Sequence, residues 1–250
     1  MTHSRTVLVT GAGSGLGRGI ALAFAAEGAA VAVAGRSPEP LAETVALIEA
    51  AGGRALALPT DITDPEQAER LVTDTVRAFG SLDVAVNNAG IFRGGRPLAD
   101  QPLADWRAVL DTNVLGVVAA MQPQIAWMRA HGGGAVVNIA SNLGAHRRRP
   151  GLAAYIASKA AVSALTRAAA LDHIADGVRI NAVSPGAADT TMSLLPGETP
   201  EERDARMKEQ SPLGRVSTVD EVAAAVRYLA SPAAASVVGT DLVIDGGAAA

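Results

Sequence analysis

The sequence predicts an α/β protein with a single doubly wound, Rossmann-type domain around a seven-stranded parallel sheet. Short apolar runs alternate with longer helical patterns along all 250 residues. The runs are continuously apolar, which is typical of parallel strands covered by helices on both faces. A chain of this length with 49% hydrophobic residues can bury one large core. Right-handed crossovers then place ligands at the carboxyl ends of the strands.

Seven strands are predicted in chain order, at residues 7–10, 30–34, 55–58, 84–87, 135–140, 179–183 and 242–244. Helices are predicted at residues 16–27, 40–51, 65–79, 103–130, 153–174 and 219–230. Pro123 is expected to kink the helix that contains it. Residues 187–217 are polar, charged and contain three prolines, so we expect a substrate lid or a mobile loop there. No second domain, repeat or linker is predicted within residues 1–250.

The composition argues against several kinds of protein. A formal net charge of −4 disfavours general binding to nucleic acid or to an anionic membrane. The chain has no cysteine, and its four histidines lack metal-ligand spacing, so we expect no disulfide and no metal site. No basic segment followed by an apolar run opens the sequence, and no apolar run is long enough to span a bilayer. These observations predict a cytoplasmic protein.

Tyr155 and Lys159 are distinctive because the chain has two tyrosines and two lysines against nineteen arginines. They are four residues apart in a predicted helix and therefore share one face of it. A neighbouring ammonium stabilises a phenolate and lowers the pKa of the phenol from its usual value near ~10. The pair indicates acid–base chemistry, although chance also produces this spacing on helix surfaces.

A glycine-rich turn follows directly after the first strand. Gly11, Gly15 and Gly17 let the backbone turn tightly and approach a pyrophosphate, which the amides of the next helix can bind. The spacing is G-x-x-x-G-x-G, and the common G-x-G-x-x-G pattern is not met because Leu16 stands where its last glycine would be. By itself, such a turn is also compatible with a plain connection between strand and helix.

The second strand ends in Gly35, Arg36 and Ser37, where NAD enzymes commonly carry an acidic residue that holds the ribose 2′-hydroxyl. Glycine leaves room for a 2′-phosphate, arginine can clamp it and serine can donate a hydrogen bond to it. NADP is therefore expected, with NAD as the less favoured cofactor. The alternative is an exposed loop arginine that binds no ligand.

Taken together, the motifs resemble those of the classical short-chain dehydrogenase/reductase family over almost the whole chain. They are, in order, the T-G-x-x-x-G-x-G turn from Thr10 to Gly17, Asp61 in LPTDIT, NNAG at 87–90, Asn113 in DTNVLG, Ser141 in VVNIASNLG, the Y-x-x-x-K pair, NAVSPGAADTTM and the terminal DLVIDGG. Eight motifs in the right order on the right elements are far more specific than any one of them.

The resemblance implies a role for each of four residues. Tyr155 would exchange a proton with the substrate oxygen while Ser141 hydrogen-bonds the same oxygen. Lys159 would lower the phenol pKa and bind the nicotinamide ribose, and Asn113 would hold a water that links Lys159 to solvent. With Arg36 and Ser37, the implied cofactor residues are Gly11, Ser14, Gly15, Leu16, Gly17, Asp61, Ile62, Asn88, Ala89, Gly90, Tyr155, Lys159, Pro185, Gly186, Ala188 and Thr190.

Two positions depart from the family pattern. Ser141 and Tyr155 are fourteen residues apart, one more than is usual, and the extra residue is expected in HRRRPG at 146–151. Ala188 replaces the usual Ile or Val. The run Arg147, Arg148 and Arg149 is expected to be a solvated loop or a subunit contact, or else one of the three reaches an anionic substrate.

The expected activity is NADP(H)-dependent hydride transfer between nicotinamide and a secondary alcohol or ketone. A 3-oxoacyl thioester, a hydroxysteroid or other cyclic alcohol, and a sugar all remain open as substrates. A mainly apolar pocket is expected, lined by Phe92, Asn142, Leu143, Met192, Leu194 and Leu195. The alternatives are a catalytically silent nucleotide-binding scaffold and a sugar-nucleotide epimerase or dehydratase, but the latter's glycine spacing and longer chain are not matched.

Alanines on more than one side of helix 153–174 predict that this helix is buried all round. Small side chains would allow a second copy of the helix to approach closely across a two-fold axis. The family resemblance implies the same contact. We therefore expect a homo-oligomer, most simply a tetramer.

Overall fold

Seven strands form the sheet in the computed structural model, which describes residues 4–250. They are β1 (Thr6–Thr10), β2 (Ala30–Gly35), β3 (Arg54–Pro59), β4 (Val84–Asn87), β5 (Gly134–Ile139), β6 (Val178–Pro185) and β7 (Asp241–Ile244). Their order is β3-β2-β1-β4-β5-β6-β7, and every neighbouring pair is parallel. The predicted Rossmann-type fold is confirmed, and each predicted strand lies within two residues of the observed one.

The helices that connect these strands are α1 (Gly15–Ala26), α2 (Pro38–Ala50), α3 (Pro65–Phe79), α4 (Leu103–Leu110), α5 (Gly116–Ala130), α6 (Ala153–His173), α7 (Pro200–Gln210) and α8 (Val219–Ala230). Side chains from α1, α2 and α8 pack on one face of the sheet, with Val7 and Val9 of β1. Helices α3, α5 and α6 cover the other face, with Leu8. Because successive strand residues alternate between the two faces, both cores draw on the same continuous apolar strands.

The strand order reverses between β1 and β4, which lie side by side although β2 and β3 separate them in the chain. The loops that leave β1 and β4 at their carboxyl ends therefore run in opposite directions. A crevice opens between such loops in doubly wound sheets and commonly binds the ligand. The residues that the sequence analysis singled out lie mainly at this edge.

A buried polar network fixes α5 and α6 on the sheet. Asn87 of β4 exchanges two side-chain hydrogen bonds with Gln124 of α5, at 3.1 and 2.9 Å. Asn87 also donates to Asn138 of β5 at 2.9 Å, and Asn138 donates to Thr166 of α6 at 2.9 Å. Buried amides are costly unless paired, so the network admits only a narrow range of positions for the two helices.

The predicted helical stretch at 103–130 is helical throughout, but it contains a π-helical turn that the sequence did not indicate. A π-helical turn, Asp111–Leu115, separates α4 from α5, while α5 runs through Pro123 without interruption. The turn contains Asn113, whose side-chain amide forms two hydrogen bonds with the backbone of Ile91. A π-helical turn adds a residue to a helix and is often found at functional sites, and here it aims Asn113 at the end of β4.

Residues 187–217 contain a helix that the sequence analysis did not assign. Helix α7 begins with a capping box, in which Thr199 and Glu202 bond each other's backbone amide. This Thr-x-x-Glu pattern was visible in the sequence but was not used. A bridge between Ala188 and Ser217 closes the base of the segment. Its buried Arg203 contacts Asp189 and Asp204, each at 2.8 Å, and the pair with Asp189 holds α7 to the chain leaving β6.

No helix within residues 4–250 is long and apolar enough to cross a membrane. The same residues bring together no group of three or more His, Asp or Glu side chains that could hold a metal ion.

Candidate active site

A cavity of about 690 Å³ opens at the carboxyl ends of β1, β4, β5 and β6. The predicted site residues in its wall are Gly11, Ser14, Gly15, Leu16, Gly17, Asn88, Ala89, Gly90, Ser141, Tyr155, Lys159, Pro185, Gly186, Ala188 and Thr190. The six residues expected to line a substrate pocket, Phe92, Asn142, Leu143, Met192, Leu194 and Leu195, are also in this wall. One continuous cavity therefore joins the glycine-rich turn to the Tyr155 side chain.

Tyr155 lies in the first turn of α6 and faces the end of β5. Its hydroxyl hydrogen-bonds Ser141, and its ring packs on Phe92 with ring centroids 4.9 Å apart. Burial raises the pKa of Tyr155, and the Ser141 hydrogen bond partly offsets that effect. The sequence analysis expected Lys159 to lower this pKa, but desolvation has the larger effect in this structure.

Lys159 is buried one turn further along α6. Its Nζ donates to the carbonyl of Ile139, at the end of β5, at 2.8 Å. A Cβ atom at Gly90 would lie 3.5 Å from Nζ, so the ammonium sits directly against the chain leaving β4. Burial lowers the pKa of Lys159 from its ordinary value near 10.5 to about 8. The amine is thus still mainly protonated at neutral pH.

Asn113 lies behind the cavity wall, fully buried. Its Oδ1 accepts from the amide of Ile91 at 2.8 Å, and its Nδ2 donates to the Ile91 carbonyl at 2.9 Å. Nδ2 also donates to Ser158 Oγ at 3.1 Å, and Ser158 in turn donates to the Tyr155 carbonyl at 2.7 Å. Asn113 therefore ties the chain after β4 to the turn of α6 that carries Tyr155. That it also holds a water stays a prediction.

The glycine-rich turn has the geometry that an anion site requires. Gly11 and Gly15 have φ angles of 65° and 52°, which other residues rarely adopt. A Cβ at Gly17 would lie 2.2 Å from the Gly11 carbonyl oxygen, so only glycine lets α1 begin this close to the turn. Ser14 caps α1 without a side-chain capping bond to any described residue. The first amides of α1 are thus available to a phosphate.

The remaining predicted cofactor residues lie outside the cavity wall, beyond the ends of β2 and β3. Arg36 is exposed, and its guanidinium has no partner among residues 4–250. Ser37 caps α2 without a side-chain bond within the described chain. Asp61 accepts from Thr63 Oγ1 at 2.8 Å, while Ile62 is buried beside Gly116. These positions could meet the adenosine half of a dinucleotide.

Sequence reasoning missed Asp241, a carboxylate that joins three elements around the site. Its side chain is only 2% exposed. It accepts from Ser163 of α6 at 2.6 Å, from His146 at 2.9 Å and from Ser184 of β6 at 2.5 Å. These partners lie 57 to 95 residues away in the sequence, so no local pattern could reveal them.

The loop after Ser141 follows a course that the sequence left open. The amide of Arg147 donates to the Asn142 carbonyl at 2.7 Å, which closes a turn over residues 142–147. His146 then anchors this turn to Asp241. All three arginines of the run are exposed, but of the three only Arg149 lines the cavity. Arg148 Nη1 donates a hydrogen bond to the Ala145 carbonyl at 2.9 Å.

Comparison with known proteins assigns this geometry to a family. Residues 11–249 match the family model described as enoyl-(acyl carrier protein) reductase. The chain is 41% identical over 243 residues to a cis-4-hydroxycyclohexanecarboxylate dehydrogenase from Sinomonas cyclohexanicum, covering 97% of this chain and 96% of that protein.

Two known structures are similar throughout their length. One is a short-chain type dehydrogenase/reductase from Mycobacterium marinum, 35% identical with a TM-score of 0.89, covering 98% of this chain and 96% of the other. The second is a 7α-hydroxysteroid dehydrogenase in complex with NADH and 7-oxo glycochenodeoxycholic acid. It is 33% identical with a TM-score of 0.90, covering 97% of this chain and 93% of the other.

Replacing Lys159 with methionine tests the cost of burying its charge. A pKa lowered to about 8 corresponds to a penalty on the order of 3 kcal/mol at neutral pH. Losing the bond to Ile139 costs about 1 kcal/mol in return. We expect Lys159→Met to raise the thermal midpoint at pH 7 by several degrees, at roughly 2–4 °C per kcal/mol for a chain of this size.

The stability difference between Lys159→Met and the wild type should depend on pH. Between pH 8 and about 10.5 the unfolded lysine keeps its proton and the folded one has lost it, so raising the pH stabilises the folded wild type there. The advantage of Lys159→Met should therefore shrink from pH 7 to pH 9.5. Lys208→Met, at an exposed lysine on α7, is the control and should show neither effect. If Lys159→Met were less stable than the wild type at pH 7, burial of the Lys159 charge would not be destabilising.

Proposed function

The chain belongs to the short-chain dehydrogenase/reductase family and is an oxidoreductase acting on CH–OH groups with a nicotinamide cofactor; we propose that it transfers hydride between NADP(H) and a secondary alcohol or ketone on a ring. The observation that carries the proposal is the buried Tyr155 hydroxyl, bonded to Ser141 in the wall of a cavity that extends to the glycine-rich turn.

The proposed chemistry assigns the proton to Tyr155. In the reducing direction its hydroxyl donates the proton to the substrate oxygen, which Ser141 also hydrogen-bonds. The raised pKa of Tyr155 keeps the phenol protonated at neutral pH, as a proton donor must be. Lys159 contributes a positive charge behind the phenol and stabilises the phenolate left by the transfer. When bound, the nicotinamide supplies the hydride in this direction and accepts it in the other.

The residues present fit a dinucleotide. The open amides of α1, Ser14 and the close approach at Gly17 suit a pyrophosphate. Pro185, Gly186 and Thr190, in the wall beyond β6, would hold the nicotinamide end. At the other end, Arg36 supports NADP because its free guanidinium follows β2 directly. NAD is the alternative, since the related 7α-hydroxysteroid dehydrogenase binds NADH.

A cyclic substrate is supported by the relatives and by the wall of the cavity. The related dehydrogenase from Sinomonas cyclohexanicum is named for a substituted cyclohexanol, and the hydroxysteroid dehydrogenase was bound to a ring ketone. Phe92, Leu143, Met192 and Leu194 give this cavity an apolar wall that suits a saturated ring. We propose that residues 187–217 act as the lid over it, since residues 190–196 and Arg206 line the same cavity.

Substituting Tyr155 with phenylalanine tests the proton donor. The ring and its packing on Phe92 are kept and only the hydroxyl is lost, so we expect kcat on a ring ketone to fall at least 100-fold, the lower end for general acid catalysis. NADPH binding, followed by fluorescence, should change little. Tyr228→Phe is the matched control, because the other tyrosine is 45% exposed on α8 and should keep full activity. Substantial turnover by Tyr155→Phe would contradict the assignment.

Cofactor preference tests the role of Arg36. One charge-assisted contact with the 2′-phosphate predicts at least a tenfold higher kcat/KM for NADPH than for NADH, since such a contact is worth ~1.5–3 kcal/mol. Arg36→Ala should remove most of that preference and leave kcat/KM for NADH nearly unchanged. Arg77→Ala removes an exposed arginine near the far end of α3 and is the control. Equal efficiencies for both cofactors in the wild type would overturn the NADP proposal.

We also propose that the protein is a homotetramer in which α6 meets its counterpart in a second copy. The sheet-facing side of α6 is buried, as predicted, but its outer side is exposed at Ala157, Ala164 and Ala168. Leu171 at the end of this face is 77% exposed, and Leu115, which directly precedes α5, is 59% exposed. Apolar surface of this extent on neighbouring helices is typical of a protein interface.

Light scattering behind a sizing column measures the assembly directly. We expect a mass near four times the 25.2 kDa chain at micromolar concentration. Ala164→Glu buries a charge in the proposed contact and should yield dimers or monomers. Ala78→Glu places the same charge on an exposed alanine of α3, outside the contact, and should leave the mass unchanged. A wild-type mass of one chain would rule the tetramer out.

A further inference from the structure

The cavity wall is electrostatically one-sided. Three of the described residues that line it carry a positive charge, namely Arg149, Lys159 and Arg206. No described residue of the lining is Asp or Glu. The chain as a whole has a formal net charge of −4. The cavity therefore concentrates positive charge in a protein that is acidic on average, and anions are the ligands that such a cavity favours.

Two of the three cations already have partners. Lys159 is buried against the Ile139 carbonyl and belongs to the proton-transfer group. Arg206 forms a two-pronged ion pair with Glu198, at 2.6 and 2.8 Å. Arg206 lowers the pKa of Glu198 to about 2, so this carboxylate stays ionised and neutralises Arg206 at neutral pH.

Arg149 is the cation that remains. Its guanidinium has no hydrogen-bond or ion-pair partner among residues 4–250. The backbone that carries it is nevertheless fixed, because the Gly151 carbonyl accepts from the Gly95 amide at 2.9 Å and from Gln101 Nε2 at 3.0 Å. Leu152, just beyond this anchor, also lines the cavity. The backbone near Arg149 is thus fixed, while its guanidinium is free to bind a ligand at the cavity wall.

The position of Arg149 assigns it to the substrate rather than to the cofactor. Arg149 lies on the loop that leaves β5 after Ser141. The Gly151 carbonyl of this loop accepts from the amide of Gly95, which follows Phe92 in the chain. The glycine-rich turn belongs to a different loop, which leaves β1. Phe92, Leu143 and Leu152, which line the same cavity, are apolar, so a singly charged planar group fits better than a phosphate, which needs several donors.

We propose that the ring substrate bears a carboxylate away from the reacting carbon, and that Arg149 binds this carboxylate and determines specificity. The inference rests on the proposed function for the reacting end and adds the charged end. It also resolves the arginine run, because Arg149 contacts the ligand and Arg148 does not.

Binding can be measured without turnover. Cyclohexanecarboxylate and cyclohexanecarboxamide have the same ring and differ in charge, and each would be titrated by calorimetry into enzyme saturated with NADP⁺. We expect the acid to bind at least tenfold more tightly than the amide. Arg149→Gln should abolish this difference, whereas Arg148→Gln, on the same exposed loop but outside the cavity wall, should preserve it. Equal affinities for acid and amide in the wild type would overturn the proposal.

Turnover separates this proposal from the proposed function. With 4-oxocyclohexanecarboxylate and its amide as ketones, Arg149→Gln should raise KM for the acid tenfold or more, with kcat and the amide kinetics nearly unchanged. If the wild type reduces both ketones equally well and Arg149→Gln changes neither, the carboxylate site is wrong and the oxidoreductase proposal stands. If neither ketone is reduced while the acid still binds through Arg149, the ring-ketone proposal fails and the carboxylate site stands.

Discussion

The close approach of α6 to the carboxyl ends of β4 and β5 is the constraint on which the site depends. A Cβ atom at Gly144 would lie 3.1 Å from the amide nitrogen of Ala160, and one at Gly90 would lie 3.2 Å from Asn113 Oδ1. Glycines at these two positions let the helix settle against the loops and bring Lys159 within 2.8 Å of the Ile139 carbonyl. Asn113 holds the helix from one side and Asp241 from the other. The positions of the reactive side chains are thus consequences of backbone packing.

The sequence predicted the sheet well because each parallel strand is a local apolar run, and local runs can be recognised without the partner strand. Prediction from the sequence failed where the local structure depends on a contact with a distant residue. The π-helical turn at Asn113 depends on Ile91, 22 residues away, and the Asp241 cluster depends on still longer separations. Helix α7 was missed for another reason: PEERDARMKEQ has almost no apolar periodicity, so only its capping box at Thr199 could have indicated it.

At neutral pH the buried ammonium of Lys159 is held in a state that does not favour folding. Burial raises the pKa of Tyr155 and lowers that of Lys159, which means that desolvation opposes the charged form of both side chains. The expectation of an acidic phenol considered the attraction between the two groups and left out the cost of removing both from water. A protonated phenol beside a partly destabilised ammonium is nevertheless suited to donating a proton. The stability lost at Lys159 is what we expect of a side chain with the catalytic role proposed for it.

The two ends of the cavity have in common that acidic residues are absent from both. Helices α2, α3, α7 and α8 each have an acidic residue in the first turn, where it complements the helix dipole. Helix α1 begins Gly-Leu-Gly-Arg and, like α5 and α6, has no acidic residue in its first turn, so its positive end is left for a ligand. The same omission recurs at the substrate end, where Arg149 faces a wall whose described residues include no carboxylate. An acidic residue in either place would satisfy the local charge and stabilise the free protein, but it would also repel an anion. The absence of acidic residues at both ends is compatible with the phosphate proposed at α1 and with the carboxylate proposed at Arg149.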